Sequence, residues 1–220
     1  MEGPVERPVE GPAEGPGAGP WGVSDEPLPP GQRPARGWPT THYGPVPRFR
    51  PERWRFRVFG ATADGGRREW DHDGFTALPH HTVTAGLDCV TRFSVPPCEW
   101  SGVAARTLLD LAPPAPEAEH VMVWAEYGYG ANLRMSDFAG ERTLFATHRE
   151  GEPLTVEHGF PLRLIVPGLY AWKGPKWVRG VEYMTEDRRG FWEERGYHNR
   201  GEVWREQRYS HQEDPGDGPG

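Results

Sequence analysis

Two stretches of the chain bring together side chains able to do chemistry. In Leu87-Asp88-Cys89-Val90-Thr91-Arg92-Phe93-Ser94, a single cysteine offers a soft sulfur donor suited to a metal. About seventy residues later His158-Gly159-Phe160-Pro161-Leu162-Arg163 opens a second stretch, which runs on through Tyr170, Trp172, Lys173, Gly174, Pro175, Lys176 and Trp177. Arg163, Lys173 and Lys176 around a Gly-Pro turn suit an anionic, phosphate-bearing ligand, whose charge they would neutralise and whose oxygens they would hydrogen-bond. Gly174 lets the backbone come close to such an oxygen, although Pro175 has no N–H to give. Together the two stretches suggest a metal held within an organic anion.

Each of these residues also has a plainer reading. A lone cysteine is commonly a buried hydrophobe with an inert thiol, and an arginine on a strand with two lysines on a turn is commonly a solvated face. Tyr129 and Tyr170 are aromatic candidates near a pocket, with core packing as the default for both. Zinc is the rival metal, since nine His are available. Cys89 and Cys98, however, lack the short paired spacing of structural zinc sites, and His80-His81 are adjacent rather than spaced for joint coordination. Cys98, in Pro96-Pro97-Cys98-Glu99-Trp100, reads as incidental.

The elements that must position these groups are mostly strands. Arg53-Trp54-Arg55-Phe56-Arg57-Val58 alternates strictly, which predicts a half-buried strand with its arginines outward. Gly65-Gly66 closes a hairpin, residues 67–70 return, and residues 73–79 make a short helical turn. Residues 82–88 are expected as a strand that delivers Cys89 at or just past its end. Across 101–112, Val103, Ala104, Leu108 and Leu111 recur at helical spacing until Pro113-Pro114, predicting a helix. Residues 121–125 read as a buried strand, 133–138 and 143–147 as weaker elements with Ser136-Asp137 as a helix start, and 163–166 and 177–184 as further strands. Many strands with few, scattered helices give an α+β fold.

With 220 residues and ten Trp, one domain with a sizeable core is expected. Residues 1–20 repeat a four-residue Glu- and Pro-containing pattern that cannot bury enough apolar surface to offset its ordering entropy. Disorder is therefore expected over residues 1–36, a folded domain over 37–210 and a disordered acidic tail over 211–220. The net charge of −7 is concentrated at the ends: residues 1–37 and 211–220 carry −3 each, leaving about −1 for 38–210. A nearly neutral domain argues against nucleic-acid binding, and strand alternation accounts for the five Arg between Arg48 and Arg57. The absence of a membrane-length apolar run, a signal core or a twin-arginine pair predicts a cytoplasmic protein without a membrane span. Two cysteines in such a compartment argue little for a disulfide.

The order and spacing of several pieces resemble one family. They are His42-Tyr43-Gly44-Pro45-Val46-Pro47, the Cys89 stretch, Trp100-Ser101-Gly102-Val103, Gly128-Tyr129, the 158–177 block, Gly190-Phe191-Trp192-Glu193 and Gly196-Tyr197-His198. They resemble the oxidoreductase molybdopterin-binding domain of sulfite oxidases and of the periplasmic methionine sulfoxide reductase catalytic subunit, over roughly residues 38–209. The resemblance implies the sulfite oxidase molybdopterin-binding fold, with mixed β-sheets, and a molybdenum–molybdopterin cofactor. Cys89 would be the protein thiolate on molybdenum, and Arg92 would meet an anionic substrate or the pterin. His42, His158 and Arg163 would bind the pterin cofactor, and Gly174, Pro175 and Lys176 its phosphate end. Asp88 and Phe93 depart from relatives that carry His and Trp there, and a carboxylate beside the metal could alter its potential.

The implied reaction is oxygen-atom transfer to or from a small-molecule substrate. The chain has no haem motif and no iron–sulfur ligand set, so electrons would pass through a separate haem, flavin or quinone protein. Only residues 210–220 follow Tyr209, where sulfite oxidases carry a dimerisation domain, so a monomer is expected. The alternative is a catalytically silent molybdopterin-binding or interaction module.

Overall fold

Phe56 and Val58 of strand β2 (Arg55–Gly60) are fully buried, while Arg55 and Arg57 turn outward to Glu69 on β3 (Arg68–Asp71), as the alternation requires. The computed structural model describes residues 27–219, so the expected disorder of residues 1–26 lies outside the described residues. Five strands form one sheet in the order β3-β2-β11-β6-β7, with β6 (His120–Ala125), β7 (Gly130–Arg134) and β11 (Val178–Met184). Strand β11 runs parallel to β2 and antiparallel to β6.

The second sheet is centred on β5 (Phe93–Ala104), which pairs with β1 (Arg33–Pro34), β4 (His80–Asp88) and β8 (Leu144–Arg149). Strand β8 in turn pairs with β9 (Glu152–Pro153) and β10 (Arg163–Ile165). One apolar core is shared by both sheets, with Phe56, Val58, Val121, Val123 and Val181 from the first and Val103, Phe145 and Leu164 from the second. The described helices are short: α1 (His72–Thr76), α2 (Ala105–Leu111) and α3 (Met135–Phe138). This is the expected α+β arrangement of mixed sheets with few, scattered helices.

Three local expectations are corrected. The helix predicted over 101–112 begins only at Ala105, because residues 101–104 continue β5 and bond to both β4 and β8. Val103 and Ala104 satisfy either periodicity, and the sheet partners decide. Residues 27–36, assigned to the disordered tail, join the fold: Arg33 N and Ala35 N donate to Arg92 O (3.0 Å) and Ser94 O (2.8 Å), a short extended pairing at a strand end that Pro34 tolerates. Residues 211–219, expected as a loose acidic tail, fold back because their acids find donors. Both Glu213 oxygens accept from Arg189, at 2.8 and 2.5 Å, and Asn199 N donates to Glu213 Oε1 at 2.8 Å.

Glu213→Gln removes the charge from this cluster while keeping its shape. Charge-assisted hydrogen bonds of this kind contribute roughly 1–3 kcal/mol, so the variant is expected to lower the denaturant midpoint measurably. An unchanged midpoint would mean that the Glu213 charge contributes nothing to the fold.

Candidate functional site

Strands β4 and β5 form a hairpin whose turn is Cys89-Val90-Thr91-Arg92. Cys89 N donates to Phe93 O (2.8 Å) and Arg92 N to Cys89 O (3.0 Å), with Arg92 in the left-handed region at φ 73°. The cysteine is half-buried, and the Thr91 hydroxyl donates to its Sγ at 3.1 Å. Two residues outside the hairpin brace the turn. Gln32 Nε2 reaches Cys89 O (3.2 Å), Phe93 O (3.0 Å) and Ser94 Oγ (3.2 Å), and Arg208 Nη1 donates to Val90 O (2.9 Å). Asp88 Oδ1 accepts from Ser94 Oγ at 2.5 Å, and burial raises its pKa. Tyr170 packs against Val90, stacks on Trp172 at 5.1 Å and keeps its hydroxyl buried without a partner; burial pushes its pKa up to about 12.

The second part of the site is a cationic pocket. Strand β10 meets residues 174–176 through an isolated bridge between Arg163 and Lys176, and Leu164 N donates to Pro175 O at 2.9 Å. Only glycine fits at 174, since a Cβ there would lie 2.5 Å from Leu164 O. The pairing sets Arg163 beside Lys176. Arg163 is 5% exposed; its Nη1 donates to His158 O (3.0 Å) and its Nε has no partner. Lys176 Nζ donates to Glu157 O (2.7 Å). Burial holds Arg163 down at about 10, and burial with the neighbouring Arg163 charge holds Lys176 down at about 7.

His158 lines the same pocket, with its Nδ1 at 2.9 Å from Thr155 Oγ1 and its Nε2 at 3.1 Å from Trp38 O. Thr155 can donate its hydroxyl to Nδ1 while Nε2–H donates to the carbonyl, which describes a neutral imidazole. The Trp38 ring stacks on it at 3.7 Å and lies under Arg149 (4.4 Å) and Arg163 (5.6 Å).

Of the residues singled out from the sequence, His158, Arg163, Gly174, Pro175 and Lys176 are therefore neighbours. His42 is exposed and lies at the pocket's margin, 5.6 Å from the Trp177 ring, with its Nδ1 turned to Gly44 O (2.8 Å). Cys89 and the exposed Arg92 stand on a separate turn. That turn belongs to the same sheet, and Leu87, two residues before Cys89, packs with Trp38 against the cluster that contains Trp100. Lys173 does not join the pocket. It is 1% exposed, pairs with Glu193 Oε1 at 2.6 Å and donates to Asn132 O and Oδ1, both at 2.8 Å. Tyr129 also serves the framework, donating to Trp172 O at 2.7 Å.

Sequence reasoning missed Trp38, Arg149, Gln32 and Arg208, which reach the site across long chain separations. It also took Cys98 as incidental. Cys98 is buried on β5, where its Sγ accepts from Arg149 Nε at 3.1 Å.

The donor set has the chemistry of an anion cradle. Arg163 and Lys176 have no carboxylate partner among the described residues, and the unmet Arg163 Nε is a buried donor awaiting an acceptor. No group of three or more His, Cys, Asp and Glu is placed to hold a metal among the described residues. A metal at Cys89 would thus have one protein ligand there and take others from the bound group. The residues present fit a phosphate-bearing organic anion that carries its own metal ligands.

Residues 43–192 match the oxidoreductase molybdopterin binding domain, and the chain belongs to that family of molybdopterin-binding oxidoreductases. It is 37% identical over 190 residues to the uncharacterized oxidoreductase YuiH of Bacillus subtilis, covering 83% of this chain and 92% of that one. Drosophila melanogaster mitochondrial sulfite oxidase is 27% identical over 70% of this chain, which spans only 31% of that protein's length. Among solved structures, the sulfane dehydrogenase SoxCD of Paracoccus pantotrophus shares the fold at a TM-score of 0.60 and 21% identity, over 67% of this chain and 42% of that one. The fold is thus that of the sulfite oxidase molybdopterin-binding domain.

Burial lowers the His158 pKa from 6.5 to about 4, so between these values the unfolded chain takes a proton that the folded one refuses. Stability is therefore lost as pH falls through this window. Between about pH 7 and pH 4.5 the loss at this residue is roughly 2–3 kcal/mol. Chemical denaturation of the cofactor-free protein at both pH values should show His158→Asn losing less than the parent, and equal losses would contradict the buried neutral imidazole.

Proposed function

We propose that the chain is a molybdenum-cofactor oxidoreductase transferring an oxygen atom to or from a small substrate, with electrons exchanged through a separate haem, flavin or quinone protein. The observation that carries this reading is the pair of cations, Arg163 and Lys176, set in the pocket without a carboxylate and with Arg163 Nε unmet. When bound, the cofactor supplies the two-electron molybdenum couple on which oxygen-atom transfer runs; the protein binds, orients and tunes it.

Cys89 would hold the metal through its thiolate. The hydroxyl of Thr91 donates to that sulfur and would withdraw electron density from it. Gln32 and Arg208 fix the carbonyls of the turn and so fix where the sulfur points. Arg163 would bond an oxygen pair of the anion through Nε and a terminal nitrogen, and Lys176 would act as a compact charge. Gly174 and Pro175 keep this backbone close to β10, while the neutral His158, stacked on Trp38, offers a ring face and no charge. His42 would reach the pterin only by leaving its bond to Gly44 O. Arg92, exposed beside the cysteine, is the cation we assign to an anionic substrate.

The Asp88 carboxylate bears on the alternative of a silent binding module. It is held by Ser94 within its own hairpin, which favours a working centre over one that Asp88 disrupts. With two Cys in 220 residues the chain cannot supply an iron–sulfur cluster of its own, which supports the external partner.

Protein made in a host that synthesises the cofactor should contain about one molybdenum and one pterin per chain, as a single thiolate ligand implies. Stoichiometric zinc without pterin would refute the assignment. Cys89→Ser should abolish turnover and metal-centred redox signals, whereas Cys98→Ser should largely keep both; the reverse ranking would move the ligand to Cys98.

Arg163→Ala and Lys176→Ala should each lower cofactor affinity roughly ten- to a hundred-fold, the loss of one charge-assisted hydrogen bond. Pterin content after extensive dialysis, with folding checked by circular dichroism, measures this. Full retention in both variants would show the two residues to be surface charges only.

A further inference from the structure

The five arginines between Arg48 and Arg57 divide into two groups. Arg55 and Arg57 face Glu69, whereas Arg48, Arg50 and Arg53 border a cleft of about 190 Å³ together with Arg179. Strand alternation explains the first pair and leaves the other three unexplained. The side chains of Arg48, Arg50 and Arg53 meet no carboxylate among the described residues. Arg179 is partly satisfied, by Glu126 Oε1 at 3.3 Å and by Arg53 O at 3.2 Å. Glu126 is the one acid lining the cleft, so four guanidinium groups surround a space with a single carboxylate.

The rest of the lining is largely aromatic. Phe49 and Phe160 meet edge to face at 4.9 Å, and Trp54 and Trp177 add two indoles. Trp54 is 2% exposed, yet its Nε1–H has no hydrogen-bond partner. A buried indole N–H usually finds an acceptor, and Trp54 is one of the residues that border the cleft. Neither His158, Arg163 nor Lys176 lines this space, although Phe160, Pro161 and Trp177, their neighbours in the chain, do.

Volume limits what the cleft can enclose. A cavity of about 150 Å³ holds benzene, so about 190 Å³ has room for one flat ring with an attached oxyanion. Guanidinium groups recognise carboxylate and phosphate oxygens in pairs and also stack on rings, which matches both halves of such a ligand.

We propose that this cleft is a binding site for a small aromatic anion, a single flat ring carrying a carboxylate or phosphate. The ring lies among Phe49, Trp54, Phe160 and Trp177, and the oxyanion is held by Arg48, Arg50 and Arg53.

Titration calorimetry of the full chain with phenyl phosphate and with benzoate tests it. Saturable one-to-one binding of at least one is expected, with phenol, which has the ring without the charge, and inorganic phosphate, which has the charge without the ring, each at least about tenfold weaker. Arg50→Ala and Arg53→Ala should each weaken binding roughly ten- to a hundred-fold, while Arg57→Ala leaves it unchanged. The indole N–H resonance of Trp54, identified by its absence in Trp54→Phe, should shift on binding. Molybdenum and pterin content should stay the same in the arginine variants, which separates failure here from failure of the cofactor assignment. Absence of binding by both ring anions, binding indifferent to Arg50 and Arg53, or equal affinity for inorganic phosphate would overturn the proposal.

Discussion

Setting the buried Arg163 beside the half-buried Lys176, with no ion pair to either among the described residues, is the constraint around which the site is built. Removing a cation from water costs several kcal/mol when nothing opposes its charge. The depressed pKa values of both residues, about 10 and about 7, are that cost seen from the proton's side. Peptide carbonyls of His158 and Glu157 and the ring faces of Trp38 and Trp100 offset part of it. The remainder is relieved by an anion, or at Lys176 by loss of its proton. A ligand that binds only the folded state adds its binding energy to folding, so filling the pocket also stabilises the fold.

The rest of the fold keeps those cations together. Gly174 permits the close backbone approach that pairs residues 174–176 with β10, and Lys173, one residue earlier, is locked into the opposite side by Glu193 and Asn132. The Glu193 carboxylate also accepts from Trp172 Nε1 at 2.9 Å. A single turn thus carries one lysine that is paid for by a carboxylate and, three residues on, one that is not. The contrast separates a framework charge from a charge left available for a ligand.

How much of this was legible depends on how local the determinant is. The strand at 55–60 was readable because its period of two is written in consecutive residues. The end of β5 was not, since Val103 and Ala104 suit a helix equally well and only pairing with β8 excludes it. Arg163 and Lys176 were singled out by residue type and His158 through family resemblance, and the structure explains their proximity by the β10 bridge. Lys173 and Lys176 are the same residue type three positions apart, and nothing near them in sequence tells their roles apart. Glu193 does so from twenty residues away. Trp38 and Arg149 left no local signal, because their contacts with the pocket come from a long-range arm and from strand register.

The bracing of the cysteine turn has a consequence for the order in which the molecule is made. Gln32 and Arg208 bond to each other at 3.1 Å, 176 residues apart in the chain, and both bond to the turn that holds Cys89. Contacts of such separation close late, because the loop entropy must be met before the contact returns anything. The hairpin's turn is therefore fixed only when Gln32 and Arg208, from the two ends of the domain, have met over it. The direction of the thiol is thus a property of the completed domain and not of the hairpin that carries it.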